Sequence, residues 1–211
     1  MYNISEIFLS RQGEGFNVGQ TAIFVRFGGC NLKCELRKTK LSPGGFNCDT
    51  DFVSSKKMSF EEFREEVIGR VGDMVLNQSM DGIIPDWIIF TGGEPMLQLD
   101  KKLVDFCKTI TKTAIETNGT FNCDHLELDW ICVSPKVAEH CIQQTTADEV
   151  KYVRGVNQPL PKTVVNADHY FISPAFEGLT LPVSNLEWCK QLVADTKWDL
   201  SIQQHKMVNI R

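Results

Sequence analysis

The sequence predicts an α/β fold with a mainly parallel sheet. Two observations carry that expectation. Short apolar runs ending in polar or glycine-rich turns recur along the chain, and segments of helical periodicity lie between them. A third observation depends on the first two. The least ordinary short sequences, "GGC", "TGGEP", "ETNG", "SPK" and "ISP", all fall just past the apolar runs. In parallel α/β sheets that is the side where ligands bind.

The elements follow in order. "TAIFVRFGG" (21–29) is rich in Phe, Ile and Val and reads as a strand buried on both faces. "SFEEFREEVIGRVGDMV" (59–75) opens on Ser59 with Glu62 three residues later, the spacing of a capping box. Phe60, Phe63, Val67 and Val71 then recur at three or four, which gives one apolar helix face. "DWIIFTGGEP" (86–95) is the next strand and turn, and "DKKLVDFCKTI" (100–110) the next helix. "KTAIETNGT" (112–120), "LDWICVSPK" (128–136), "ADEVKYVRG" (147–155) and "NADHYFISP" (166–174) repeat the strand form. "LPVSNLEWCKQLVADT" (181–196) is a third helix.

Composition narrows the class of protein. A chain of 211 residues fits one domain and buries a sizeable core without crosslinks. A net charge of −5 argues against a general nucleic-acid or anionic-membrane surface, so neither partner is expected. No apolar run reaches the ~18 residues of a membrane span, and the first residues have no signal-peptide pattern. Eight cysteines without such a signal point to reduced thiols and a cytoplasmic location. Most of the cysteines outside the first three are expected to pack as small apolar side chains, Cys132 in "WICVSPK" among them.

Cys30 and Cys34 stand four apart, and Cys48 follows after "ELRKTKLSPGGFN". Three thiolates leave a coordination position open. For zinc, an open position marks a catalytic site. For a [4Fe–4S] cluster, it leaves one iron for a ligand that is not protein. The cysteine count alone leaves both readings standing.

The neighbouring residues carry a resemblance. "GCNLKC" and "CDT" read together as an interrupted "GCNLxCxxCDT", and "EIFLSRQGEG", "FTGGEP", "IETNGT", "SPK" and "SIQQHKMVNIR" follow in order over nearly the whole chain. The chain resembles the radical S-adenosylmethionine (SAM) superfamily and, within it, the 7-carboxy-7-deazaguanine synthases of queuosine and 7-deazapurine biosynthesis. The resemblance implies a partial (β/α) barrel, reduced in helices, over residues 1–211, with an insertion at about 35–47. It implies that Cys30, Cys34 and Cys48 hold a [4Fe–4S] cluster whose open iron is chelated by SAM. One-electron cleavage of SAM then gives a 5′-deoxyadenosyl radical. The implied reaction is ring contraction of 6-carboxy-5,6,7,8-tetrahydropterin to 7-carboxy-7-deazaguanine with loss of ammonia.

Site residues carry over position by position. Asn47, Asp49, Gly93, Glu94, Glu116, Ser134, Pro135, Lys136 and Ser173 match SAM-binding positions. Arg11, Gln12, Gly13, Glu14, Arg26, Thr91, His205 and Arg211 match substrate positions. Arg26 suits the substrate carboxylate, because a guanidinium meets a carboxylate with two parallel hydrogen bonds. Thr50 matches a Mg²⁺ ligand. The resemblance further implies an electron donor such as flavodoxin or ferredoxin, and a homodimer. Two features depart from the family's usual pattern: the long stretch before Cys48, and Ser173 where a Gln is expected. Two other functions compete: a glycyl-radical enzyme activase, and a non-catalytic zinc- or partner-binding protein. The activase gives no reason for Arg26, "RQGEG" and an ordered C-terminal tail, and iron content separates the zinc- or partner-binding reading.

Overall fold

The computed structural model describes residues 1–35, 47–48, 54–77 and 84–208. Nine described strands form one sheet: β1 (Tyr2–Arg11), β2 (Thr21–Phe27), β3 (Lys56–Met58), β4 (Trp87–Gly92), β5 (Lys112–Thr117), β6 (Trp130–Val133), β7 (Thr146–Arg154), β8 (Asn166–Pro174) and β9 (Asp199–Leu200). Their order is β3-β1-β2-β4-β5-β6-β7-β8-β9. From β2 to β9 every neighbouring pair is parallel. β1 runs antiparallel to both β2 and β3. β3 and β9 are the two ends, so the barrel stays open, as the expected partial barrel requires.

The helices are α1 (Phe60–Asn77), α2 (Lys101–Lys108), α3 (Val183–Val193) and the short α4 (Gln204–Met207). The barrel is also reduced in helices. A single 3-10 turn connects β5 to β6 and another connects β6 to β7, while residues 155–165 link β7 to β8 without one. α1 begins at the expected capping box. Glu62 accepts from the Ser59 amide (2.7 Å) and the Ser59 hydroxyl receives the Glu62 amide (3.2 Å). α2 is capped by Asp100, which accepts from the Leu103 amide (3.0 Å) and from the Tyr2 hydroxyl (2.8 Å).

Strand alternation explains the continuous apolar runs. Ile23, Val25 and Phe27 of β2 and Ile88 and Phe90 of β4 point to the core under α1 and α2, with Phe63, Val67, Leu103 and Val104. Ala22 and Phe24, with Trp87 and Ile89, point to the opposite face, where Phe8 and Ala114 join them. Both faces are covered, so no polar alternation appears in these strands. A second core under α3 holds Val150, Tyr152, Ile172, Cys189 and Trp198. No described helix is long and apolar enough to cross a membrane.

Candidate active site

The carboxyl ends of the parallel strands open onto a cavity of about 370 Å³. β2 contributes Arg26, β4 Thr91 and Gly92, β5 Glu116 and Thr117, β7 Lys151 and Val153, and β8 Pro174. The turn after β1, the stretch Cys30–Cys34, residues 47–48 and the tail at Gln203–Lys206 close the sides.

At one end lie Cys30, Cys34 and Cys48, none of them in a disulfide, all on the cavity wall. The Leu32 amide donates to Cys30 Sγ (3.4 Å), and the Cys48 amide donates to the Cys34 carbonyl (3.2 Å). Burial pushes the Cys30 thiol up, and the Leu32 amide only partly offsets this. The loop is fastened to β4 by two glycines. Gly92 has φ +124, and a Cβ there would meet the Phe27 backbone. A Cβ on Gly93 would run into the Gly29 carbonyl. The Gly93 amide donates to the Phe27 carbonyl (3.1 Å) and the Glu94 amide to the Gly29 carbonyl (3.0 Å). On the other side, Asn31 donates to Thr120 Oγ1 (2.8 Å) and accepts from Asn118 (2.9 Å).

Among the described residues, no three His, Cys, Asp or Glu side chains gather closely enough to hold one metal ion. A [4Fe–4S] cluster takes each thiolate on a different iron, so separate thiols around a shared space suit it.

The other end is ionic. Glu116 Oε1 accepts from Gln12 Nε2 (3.0 Å) and Oε2 from Thr91 Oγ1 (2.9 Å). Lys151 Nζ stands 2.8 Å from Glu14 Oε1, with both side chains nearly out of solvent. Burial alone would push Glu116 up. The Lys151 ammonium and the Gln12 and Thr91 hydrogen bonds outweigh it and hold the carboxyl below its ordinary value. Arg26 Nε donates to Glu6 Oε1 (2.8 Å), and its guanidinium lies 5.6 Å from the Phe8 ring centre. The tail is docked here. The Gln204 amide donates to the Gly13 carbonyl (2.9 Å), and a Cβ on Gly13 would strike the His205 ring.

No family model matches the chain. Curated relatives do, over almost their whole length. A 7-carboxy-7-deazaguanine synthase of Burkholderia multivorans is 36% identical and covers 99% of both chains. One from Bacteroides thetaiotaomicron is 34% identical over 100% of both chains. The chain belongs to the 7-carboxy-7-deazaguanine synthase family. A crystal structure of QueE from Escherichia coli has the same fold, with a TM-score of 0.62 at 24% identity, covering 97% of this chain and 94% of that one. Membership in the synthase family disfavours both the activase and the zinc-protein readings.

The structure brings most of the expected synthase residues to the one cavity. Gln12, Gly13, Glu14, Arg11, Arg26, Thr91, His205, Gly93, Glu116, Ser134, Lys136 and Asn47 all line it with the three cysteines. Arg11 also donates to the Gly19 carbonyl (2.9 Å), and Lys136 to Ser134 Oγ (2.6 Å). Glu94, expected at the SAM end, turns its side chain inward. Fully buried, its carboxylate accepts from Thr117 Oγ1, the Asn118 amide and the Met96 amide. Ser173 and Pro135 are also buried, each next to a residue on the cavity wall. Asp49, Thr50 and Arg211, and the basic residues Arg37, Lys38 and Lys40 of the long stretch, lie outside the described residues. Cys132 is buried as expected but not in apolar company: its thiol donates to Glu149 Oε1 (3.4 Å).

Sequence reasoning missed Lys151, Asn118 and Phe176 on the wall. A signal for Lys151 was present. In "DEVKYV", Glu149 and Lys151 alternate with Val150 and Tyr152, which puts two charges on one face of a buried strand.

Proposed function

We propose that this chain is a radical SAM lyase that converts 6-carboxy-5,6,7,8-tetrahydropterin to 7-carboxy-7-deazaguanine with loss of ammonia. The observation that carries the reading is the two-ended cavity: three cysteine thiols at one end, and an acid and amide floor at the other. The continuous sheet supports treating residues 1–211 as one radical SAM domain. Cys30, Cys34 and Cys48 would hold a [4Fe–4S] cluster, which would supply the one-electron chemistry that cleaves SAM.

The chain's own residues bind and orient. Lys136 and Ser134 donate to the oxygens of SAM, and Gly92 and Gly93 hold the cysteine loop against β4. Glu116, Gln12 and Glu14 match the N–H and carbonyl edge of a pterin, since ionised carboxylates accept and the amide does both. Arg26 takes the substrate carboxylate. Thr50 would hold a Mg²⁺ ion, a cation that keeps waters and borrows substrate oxygens. The docked tail, with His205 against Gly13, excludes water. A flavodoxin or ferredoxin supplies the electron, the working unit is a homodimer, and eight cysteines without a disulfide suit the reducing cytoplasm.

The test is anaerobic: reconstituted protein, SAM, a reductant, Mg²⁺ and the carboxytetrahydropterin, with product followed by mass spectrometry. Deazapurine should form, less of it after chelation of Mg²⁺, and none with Cys48→Ala. A fully loaded cluster that cleaves SAM yet yields no deazapurine sinks the proposal.

A further inference from the structure

The floor of the cavity holds more charge than substrate contact alone demands. Lys151 is only 5% exposed; among the described residues no other lysine or arginine is so buried. Facing it are Glu14 from the turn after β1, Glu116 from β5, Cys132 from β6 and Glu149 from β7 itself. Arg26 of β2 and His205 of α4 border the same group. Carboxylates crowded in a low-dielectric pocket tend to take up protons. Here their environments differ. Glu149 accepts the Phe16 amide (2.9 Å) and the Cys132 thiol, and burial pushes it up. Glu116 is held down, and Glu14 has Lys151 at 2.8 Å.

A buried ion pair is poor provision for stability, because desolvation cancels much of the attraction. Its retention on a cavity floor calls for another reason. We infer that Lys151 is a positioning residue that holds Glu14 through their 2.8 Å ion pair and faces Glu116 across the floor, so that this end of the cavity accepts two or more N–H donors. The ligand class that follows is a planar ring with an amidine- or guanidine-like edge and a carboxylate within reach of Arg26, which borders the same group. The inference deepens the proposed function and rests on it for the identity of the ring.

Two measurements test it. The first is binding of 6-carboxypterin, read by quenching of its fluorescence, from about pH 6 to about pH 8.5, across the range where carboxylates with raised pKa values titrate. The second is turnover of the carboxytetrahydropterin. Lys151→Met should weaken binding and raise KM by about 100-fold near pH 7, the scale of a broken buried pair, with a smaller change in kcat. The loss should shrink as pH rises, because Glu116, freed of Lys151, ionises later. Lys151→Arg should restore most of the affinity, and iron content and SAM binding should be unchanged in both. If Lys151→Met does not fold, Lys151→Met/Glu149→Gln removes one charge of each sign and should show the same loss. A KM and 6-carboxypterin affinity within about threefold of the parent, or a loss independent of pH, overturns the inference. So does a loss that tracks iron content. Wild-type protein that binds 6-carboxypterin but turns nothing over defeats the proposed reaction and leaves the Lys151 comparison readable in binding. If wild-type protein does not bind the probe, both fail.

Discussion

At the scale of single residues, the motif glycines of "TGGEP" also pack the cysteine loop. Gly93 matches a SAM-binding position and lines the cavity. In the fold, the space beside Gly93 is filled by the Gly29 carbonyl, and Gly92 takes φ +124 against the Phe27 backbone. Both glycines let the cysteine loop lie directly on the end of β4. Gly93→Ala must therefore move the Gly29–Cys30 backbone, which no rotamer change can avoid. Iron and sulfide per chain after anaerobic reconstitution should fall well below the parent's, with the apo fold retained by circular dichroism. Parent-like iron content would show that the loop yields freely. The residues that meet at the cavity were legible in the motifs: Cys30, Cys34 and Cys48, Arg26, Glu14 and Glu116 all line it. Glu94 was not. Its carboxylate serves the Asn118 and Met96 amides and Thr117, partners brought together only by folding.

At the scale of elements, legibility followed burial. β2, β4, β5 and β6 are covered on both faces, so continuous apolar runs marked them. α1 announced itself by its capping box, and Asp100 proves to cap α2. β1 gave no comparable sign. A register shift between Ile4 and Glu6 breaks its alternation, and its antiparallel pairing with β2 and β3 departs from the strand–helix rhythm. β3 and β9 have three and two residues, too few for any period. α4 spans four residues and is held by what it docks on. That docking depends on pH. Burial pushes the His205 imidazole below its ordinary value, against the pull of Glu14 and Glu116. A histidine depressed in the folded state contributes stability that is complete above its unfolded value of ~6.5 and is lost as pH falls through the folded value. Amide protection at Gln204, corrected for intrinsic exchange, should decline on acidification below about pH 6.5. His205→Asn should flatten that dependence; an equal decline in the variant would assign it to other groups.

At the scale of the whole molecule, the cavity is a seam. Its wall draws on seven of the nine strands, from β1 to β8, together with the cysteine loop and the tail, so two separately cored halves meet across it. The sheet itself stays open at β3 and β9. A ligand seated there touches elements far apart in sequence, and it must be expelled before the sheet can come apart. Binding to the folded state alone stabilises by RT ln(1 + [L]/Kd), about 2.7 kcal/mol at a hundredfold excess over Kd. For a chain of this size that corresponds to a rise in Tm of roughly 5–10 °C. SAM added to cluster-loaded protein should give a shift of that order by anaerobic calorimetry. Cys48→Ala, which removes one of the three thiols that would hold the cluster, should give little or none. A full SAM shift in Cys48→Ala would mean that the nucleoside and amino-acid contacts at Ser134 and Lys136 suffice without the cluster, and the two ends of the cavity would then be energetically independent.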